Sequence, residues 1–203
     1  IIDCIQRAIN PYQEYSAFLA IAESPDLRFV ISNTTEAGIA HHKADKLADS
    51  PQKSFPGKLT AFLYHRFQSF RGASDKGLII LPCELIDRNG DNLKRIILQY
   101  AAEWNLAGEF TNWINKHNIF CNTLVDRIVP GYPKNKTDRI TEELGYKDNL
   151  LVEGEQFHLW VIEGPKEVKE EFPAMQSGLN VVFTDNMEPY RTRKVRILNG
   201  AHT

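Results

Sequence analysis

The sequence predicts an α/β fold in which a mostly parallel sheet is covered by helices on both faces. Short apolar runs of strand length alternate along the chain with longer segments in which apolar residues recur every three or four positions. No internal repeat interrupts that alternation. Strands that alternate with helices favour crossover connections, and therefore a parallel sheet buried on both sides.

The first half of the chain supplies two strands and two helices. Residues 27–34 form a strand, and residues 56–70 form a helix with large apolar side chains on one face. Residues 77–85 form a compact apolar strand. Asn89-Gly90 indicates a turn after that strand, and a helix with a buried face runs from Asp91 to Trp104.

The second half repeats the alternation with shorter elements. The predicted helices cover residues 110–116 and 138–144, and the predicted strands cover 121–129, 157–162 and 179–184. The charged stretch 166–171 is interpreted as a solvated surface segment.

Composition excludes several classes of partner. The formal net charge is -2, so the chain has no basic excess for binding nucleic acid or an anionic membrane. No apolar run approaches the ~20 residues of a membrane span. The three cysteines lack metal-type spacing, which favours reduced thiols and a cytoplasmic protein.

The closing residues contain a lysine, an asparagine and a histidine with suggestive spacing. On a helix, Lys194 and Asn199 lie ~140° apart with His202 between them, so all three can face one cleft. A carbonyl reductase needs such groups, because hydride addition leaves an alkoxide that takes a proton and hydrogen bonds. On spacing alone, an ordinary amphipathic helix is the favoured explanation, because this spacing occurs in many such helices.

Polar residues also follow the predicted strands, where ligands bind in open α/β sheets. These residues are Asn33, Thr34, Thr35 and Glu36 after the first strand, Pro82-Cys83-Glu84-Leu85 after the second, and Asp126-Arg127 after the third. Ordinary alternatives stay open: turn residues for the first group, an exposed strand end for Glu84, and a local ion pair for Asp126-Arg127. His41-His42 is interpreted as a surface pair rather than a metal site, and His65 and His158 as structural residues.

Four segments resemble the polyol-specific long-chain dehydrogenases, the mannitol dehydrogenase family. They are residues 28–39, 81–91, 123–133 and 194–203, and they occur in the family's order over nearly the whole chain. The resemblance implies a Rossmann-like fold, an NAD cofactor, no catalytic metal, and hydride transfer to or from a small-molecule substrate.

The resemblance also assigns roles to individual residues. Lys194 matches the family's acid/base, Asn199 an oxyanion donor and His202 the residue that orients the lysine. Asn33, Thr34, Thr35 and Glu36 would contact the nicotinamide side of the cofactor. Asp126 matches an aspartate near the substrate. A ketouronate or aldonate substrate brings a carboxylate, for which Arg191 and Arg193 are candidates.

Two positions depart from the mannitol dehydrogenase pattern. The family's Ser-Cys-Asp-Asn motif aligns with Pro82-Cys83-Glu84-Leu85, so Leu85 replaces a second oxyanion asparagine. A relay glutamate is replaced by Arg191. The Pro-Cys-Glu-Leu version resembles one of the family's two uronate-reducing branches.

The expected organisation is that of an interior piece of a longer enzyme. Residues 1–187 would form an incomplete NAD-binding Rossmann-like domain, since no GxGxxG motif occurs in them. Residues 188–203 would begin the first helix of an all-α substrate domain. Three functions remain open: a ketouronate reductase of that branch, another uronate reductase or polyol dehydrogenase of the family, and a non-catalytic nucleotide-binding module.

Overall fold

The computed structural model describes residues 4–194, and the first of two three-stranded sheets is parallel throughout. Strand β1 (Phe29–Ser32) pairs with β2 (Ile79–Pro82), which pairs with β3 (Ile119–Phe120). Every residue of β2 is buried, as expected for a central strand covered on both faces.

The second sheet continues from the first through a single residue. Strand β4 (Asn122–Asp126) follows β3 after Cys121, whose backbone N–H donates to the carbonyl of Ile80 at 3.0 Å. Strand β4 pairs antiparallel with β5 (Leu159–Glu163), and β5 pairs parallel with β6 (Val181–Thr184). The predicted mostly parallel sheet is confirmed, with the β4–β5 pair as the antiparallel exception.

Helices lie on both faces of these strands. The described α-helices are α1 (Tyr15–Ile21), α2 (Phe55–Ser69), α3 (Asn89–Glu103), α4 (Gly108–His117), α5 (Thr137–Leu144), α6 (Lys166–Glu171) and α7 (Glu188–Arg193). Helices α2, α3 and α4 bury one apolar cluster against Ile80, whereas Val168 of α6 joins a second cluster around Ile79. Neighbouring β2 side chains therefore enter opposite cores, as the alternation of a strand requires.

The interpretation of Asn89-Gly90 as a turn is wrong, because both residues belong to the first turn of α3. Arg88 makes the chain reversal instead, with a φ of 47° in the left-handed region. Gly90 is needed for close packing, since a Cβ there would lie 2.2 Å from the carbonyl oxygen of Cys121. The dipeptide therefore serves helix-to-strand packing.

The other elements agree with the sequence prediction to within a few residues, and three were not anticipated. They are helix α1, strand β3 and helix α6, which are short and give little periodic signal. Helix α7 begins at Glu188, where the sequence predicted the start of a helix. The charged stretch 166–171 is α6, whose charged residues are exposed as expected. Its Val168 is fully buried, and its Glu171 pairs with Arg28. Among the described helices, none has the length and apolar content to cross a membrane.

Candidate functional site

A cleft of about 160 Å³ lies beyond the carboxyl end of β2 and beside β4. Three segments line it: the loop after β2 at residues 84–87, the middle of β4, and the start and end of α7. This is the edge where ligands bind in open α/β sheets. The cleft brings Leu85 together with Arg191 and Lys194, which are about a hundred residues further along the chain.

Lys194 is held at the end of β4 by two oxygen acceptors. Its Nζ donates to the carbonyl of Val125 at 2.6 Å and lies 3.3 Å from Oδ1 of Asp126. The side chain of Lys194 is 12% exposed and that of Asp126 is 19% exposed. A lysine ammonium has three N–H donors. Two are thus directed at β4, which leaves the third for a group in the cleft.

Asp126 therefore contacts Lys194 rather than its neighbour in sequence. The alternative of a local Asp126–Arg127 ion pair is wrong, because Nε of Arg127 donates to the carbonyl of Glu155 at 3.1 Å. The carboxylate of Asp126 orients the ammonium group at the cleft.

The two candidate arginines differ in placement. Arg191 lines the cleft, and its Nη1 lies 2.8 Å from Oδ1 of Asp87. Arg193 is exposed and is absent from the cleft lining found among residues 4–194. The structure thus brings Arg191, but not Arg193, beside Lys194.

Leu85 places an apolar side chain on the cleft wall where the resemblance leads one to expect an amide. Its side chain is 57% exposed. The next amide along the chain, that of Asn89, is fully buried and already bonded. Its Nδ2 lies 2.8–3.1 Å from the carbonyls of Pro82, Glu84 and Thr123, and its Oδ1 accepts from the backbone of Thr123 at 2.8 Å. Asn89 therefore fixes the loop after β2 against β4 and cannot serve as the missing donor.

The loop after β1 carries the predicted cofactor residues at the same edge of the sheet. Asn33, Thr34, Thr35 and Glu36 are all exposed. The loop turns back tightly, with Gly38 donating to the carbonyl of Thr35 at 2.9 Å. A Cβ on Gly38 would lie 1.8 Å from Oγ1 of Thr34, so this turn requires glycine.

Glu84 is buried, and the alternative of an exposed strand end is wrong. The residue is 2% exposed. Its Oε2 accepts from the hydroxyl of Ser32 at 3.0 Å, and its Oε1 accepts from the backbone N–H and the hydroxyl of Thr34 at 3.1 and 2.9 Å. The carboxylate thus bridges the loops that follow β1 and β2. Sequence reasoning missed this because no local pattern reports which way a strand-end side chain turns.

A second carboxylate, that of Glu163, fixes the start of α7. Its Oε2 accepts from the backbone N–H of Met187 at 2.8 Å, and its Oε1 accepts from Nδ2 of Asn122 at 3.1 Å. The end of β5 therefore determines where α7 begins, and α7 carries Arg191 and leads to Lys194. Sequence analysis did not single out Glu163.

Cys83 and Cys121 are thiols whose protonated form is favoured at neutral pH. Burial raises the pKa of the Cys83 thiol to about 11, and burial raises that of Cys121 to about 12. The thiolate is the nucleophilic form, so neither residue suits covalent catalysis.

Three of the histidines pair with carboxylates. Nε2 of His41 lies 2.8 Å from Glu103, Nδ1 of His42 lies 3.2 Å from Asp45, and Nε2 of His65 lies 2.7 Å from Glu23. His158 accepts at Nε2 from the backbone of Asn180 at 2.9 Å. Within residues 4–194, no group of three potential metal ligands is assembled. The predicted Asn199 and His202 lie outside the described residues.

The family model described as the mannitol dehydrogenase Rossmann domain matches residues 2–177. The chain belongs to the mannitol dehydrogenase Rossmann-domain family. This membership confirms the resemblance drawn from the four segments and the Rossmann-like α/β fold.

Alignments with named relatives cover the whole chain. The altronate oxidoreductases of Bacillus subtilis and Bacteroides thetaiotaomicron are 54% and 55% identical to it over 203 residues. All of this chain is covered in both comparisons, but the chain spans only 42% of the length of each relative.

Two solved structures share the fold. Pseudomonas fluorescens mannitol 2-dehydrogenase, in a ternary complex with NAD and D-mannitol, matches with a TM-score of 0.75 and 26% identity. That match covers 99% of this chain and 42% of the dehydrogenase chain. A D-sorbitol dehydrogenase matches with a TM-score of 0.69 and 22% identity, covering 94% of this chain and 40% of its own.

Proposed function

We propose that the protein is an NAD-dependent reductase that interconverts D-tagaturonate and D-altronate, with Lys194 as the acid/base. The observation that carries the proposal is the placement of the Lys194 ammonium in the cleft at the carboxyl edge of the sheet. Relatives named altronate oxidoreductase, at more than half identity along the whole chain, support this substrate.

The loop after β1 fits a nicotinamide cofactor. It is exposed at the carboxyl edge of parallel strands, which is where dinucleotides bind. The backbone N–H and hydroxyl of Thr34 are already bonded to Glu84, so direct contacts fall to Asn33, Thr35 and Glu36. NADH, when bound, supplies the hydride. Asn33, Thr35 and Glu36 would hold its nicotinamide ribose.

Lys194 supplies the proton in the reductive direction. The carbonyl of Val125 and the carboxylate of Asp126 orient its ammonium group, and the third N–H hydrogen-bonds the substrate ketone. As hydride reaches the carbonyl carbon, negative charge grows on the oxygen, and Lys194 transfers its proton there. In alcohol oxidation the neutral lysine accepts that proton. Asn199 is the proposed oxyanion donor, and His202 the proposed partner that orients Lys194.

Arg191 is the proposed partner of the substrate carboxylate. Its planar guanidinium group can hold a carboxylate through two parallel hydrogen bonds. The side chain is 36% exposed and one Nη1 contact to Asp87 leaves other donors of the fork for a ligand. Arg193 remains a second, more exposed candidate.

Residues 1–187 and 188–203 are proposed to belong to different domains. Helix α7 begins at Glu188, the first residue of the second unit. We also propose a cytoplasmic location, since the three cysteines are free and spread over exposed and buried sites.

A substrate panel tests the proposal. The complete protein is incubated with NADH and, separately, tagaturonate, fructuronate and fructose, and NADH oxidation is followed. We expect the largest kcat/KM with tagaturonate. A larger kcat/KM with fructuronate or fructose would assign the protein to another branch of the family. NADH binding without turnover of any ketone would favour a non-catalytic module instead.

A further inference from the structure

A hydrogen-bonded path joins the loop after β1 to the lysine of the cleft, and Glu84 occupies its centre. On one side, the Glu84 carboxylate accepts from Ser32 and twice from Thr34. On the other side, the Glu84 carbonyl lies 3.1 Å from Nδ2 of Asn89. The side chain of Glu84 is thus fixed to the end of β1 and to Thr34 two residues later, and its backbone is fixed to the first turn of α3.

The path continues from Asn89 to Lys194 through β4. The Asn89 side chain bonds both the N–H and the C=O of Thr123, at 2.8 and 3.0 Å. Thr123 precedes Val125 by two residues in the same strand, and the Val125 carbonyl accepts from Lys194. Glu84, Asn89 and Thr123 are each at most 4% exposed, so the linking groups are packed rather than free to move.

Within the described part of the chain, the buried carboxylate of Glu84 is compensated by hydrogen bonds rather than by a cation. Burying a charge is costly unless hydrogen bonds or a cation compensate. Among the ion pairs formed by residues 4–194, none involves Glu84, and its carboxylate is bound by two hydroxyls and one backbone N–H. Two of those three donors belong to the proposed cofactor loop.

We propose that Glu84 is a positioning residue that fixes the 33–36 loop relative to Lys194. The inference rests on the proposed function, because it concerns the distance between the hydride donor and the proton donor. Both must reach one carbonyl group at roughly 3–3.5 Å, and a misplacement of about 1 Å costs on the order of 100-fold in rate. Glu84 therefore acts through Thr34 and does not itself need to touch the substrate.

Side-chain length and side-chain charge can be separated at this position. Glu84→Asp keeps the charge but shortens the reach by one carbon–carbon bond of about 1.5 Å, so the 33–36 loop must shift or lose its bonds. Glu84→Gln keeps the reach. Its amide oxygen can accept both Thr34 bonds, and its NH₂ can donate to the Ser32 hydroxyl, which also accepts. A positioning role predicts that the Asp variant suffers more.

The test compares Glu84→Asp, Glu84→Gln and the control Asp45→Asn in the complete protein. Asp45 is also a buried carboxylate bound by a serine hydroxyl and backbone N–H groups, and it lies outside the cleft lining. Two readouts are taken. One is amide hydrogen exchange across residues 33–38, and the other is kcat with NADH and with NADH deuterated at the transferred hydrogen.

In Glu84→Asp we expect faster exchange at the Thr34 amide, a fall in kcat of about tenfold or more, and a larger deuterium isotope effect as hydride transfer becomes slower. Glu84→Gln should remain within about threefold of the parent in each measure. Asp45→Asn should lower stability but leave the isotope effect and the exchange at residues 33–38 unchanged.

If kcat and the deuterium isotope effect of Glu84→Asp both lie within twofold of the parent values, the inference is overturned. This holds whatever the amide hydrogen exchange shows. A loss in Glu84→Gln as large as that in Glu84→Asp would also overturn it, since the charge would then be needed as much as the reach. If Glu84→Asp does not fold, Thr34→Val removes one donor and should still raise the isotope effect; no change would refute the role. Absence of ketone reduction by the unmodified protein refutes the proposed function itself, and the inference falls with it.

Discussion

At the scale of single residues, Arg191 is the group that should distinguish a uronate from a neutral sugar. Arg191→Ala removes the guanidinium beside Lys194, and a charged hydrogen bond contributes about 1.5–3 kcal/mol. We expect KM for tagaturonate to rise roughly 10- to 100-fold, while KM for NADH changes little. Arg139→Ala, in an exposed pair with Glu143 on α5, is the matched control. Equal KM values for tagaturonate in Arg191→Ala and the parent would exclude Arg191 as the carboxylate partner.

The thiols provide a second test at this scale. Burial raises the pKa values of Cys83 and Cys121 to about 11 and 12, so at pH 8 both are almost entirely protonated. Cys4 is exposed. A disulfide reagent at pH 8 should therefore modify Cys4 first, and the other two only after unfolding. Fast modification of Cys83 or Cys121 in the folded protein would contradict the raised pKa values of these thiols.

At the scale of elements, the start of α2 depends on Asp45. The carboxylate accepts from the backbone and hydroxyl of Ser54, which caps the helix by accepting from Gly57 at 3.0 Å. Burial alone raises the Asp45 pKa, but the hydrogen bonds from Ser54, Lys53 and Tyr100 outweigh it, so the pKa is below its usual value. A lowered pKa contributes stability that is fully present above pH ~3.9, the ordinary pKa of an aspartate. This stability is lost as the pH falls through the pKa of Asp45 in the folded protein.

Asp45→Asn should therefore lower the free energy of unfolding at pH 7 by about 1–3 kcal/mol. The difference from the parent should begin to shrink as the pH falls below the ordinary aspartate pKa of ~3.9, and should disappear below the lower pKa of Asp45 in the folded protein. Urea unfolding of both proteins at pH 7 and pH 3.5 measures it. A difference that is constant with pH would show that the Asp45 charge is not what stabilises this turn.

The elements most fully anticipated from sequence are those with a long periodic pattern. Helices α2 and α3 each span 15 residues, so their buried faces repeat several times. The sequence prediction was wrong where residues typical of a turn make contacts with a distant part of the chain. Asn89-Gly90 has the composition of a turn, but its Asn binds β4 and its Gly packs on Cys121. Tertiary contact overrode turn propensity there.

At the scale of the whole molecule, the site is assembled by sheet topology. The loop after β2, strand β4 and helix α7 line the cleft at the carboxyl edge of the sheet, and Glu84 ties the loop after β1 to the loop after β2. The strand-end rule anticipated that edge, and with it Leu85 and Asp126. It could not anticipate Glu84, Asn89 or Glu163 as the residues that hold the edge together, because their partners lie between 5 and 52 residues away.

Lys194→Ala in the complete protein tests the central claim most directly. Removing the ammonium should abolish turnover of tagaturonate, while the dissociation constant for NADH stays close to that of the parent because the 33–36 loop is untouched. Lys116→Ala, on the exposed side of α4, serves as the control and should keep full activity. Activity of Lys194→Ala within about tenfold of the parent would contradict its assignment as the acid/base, given that such catalysis contributes about 10²–10⁴-fold.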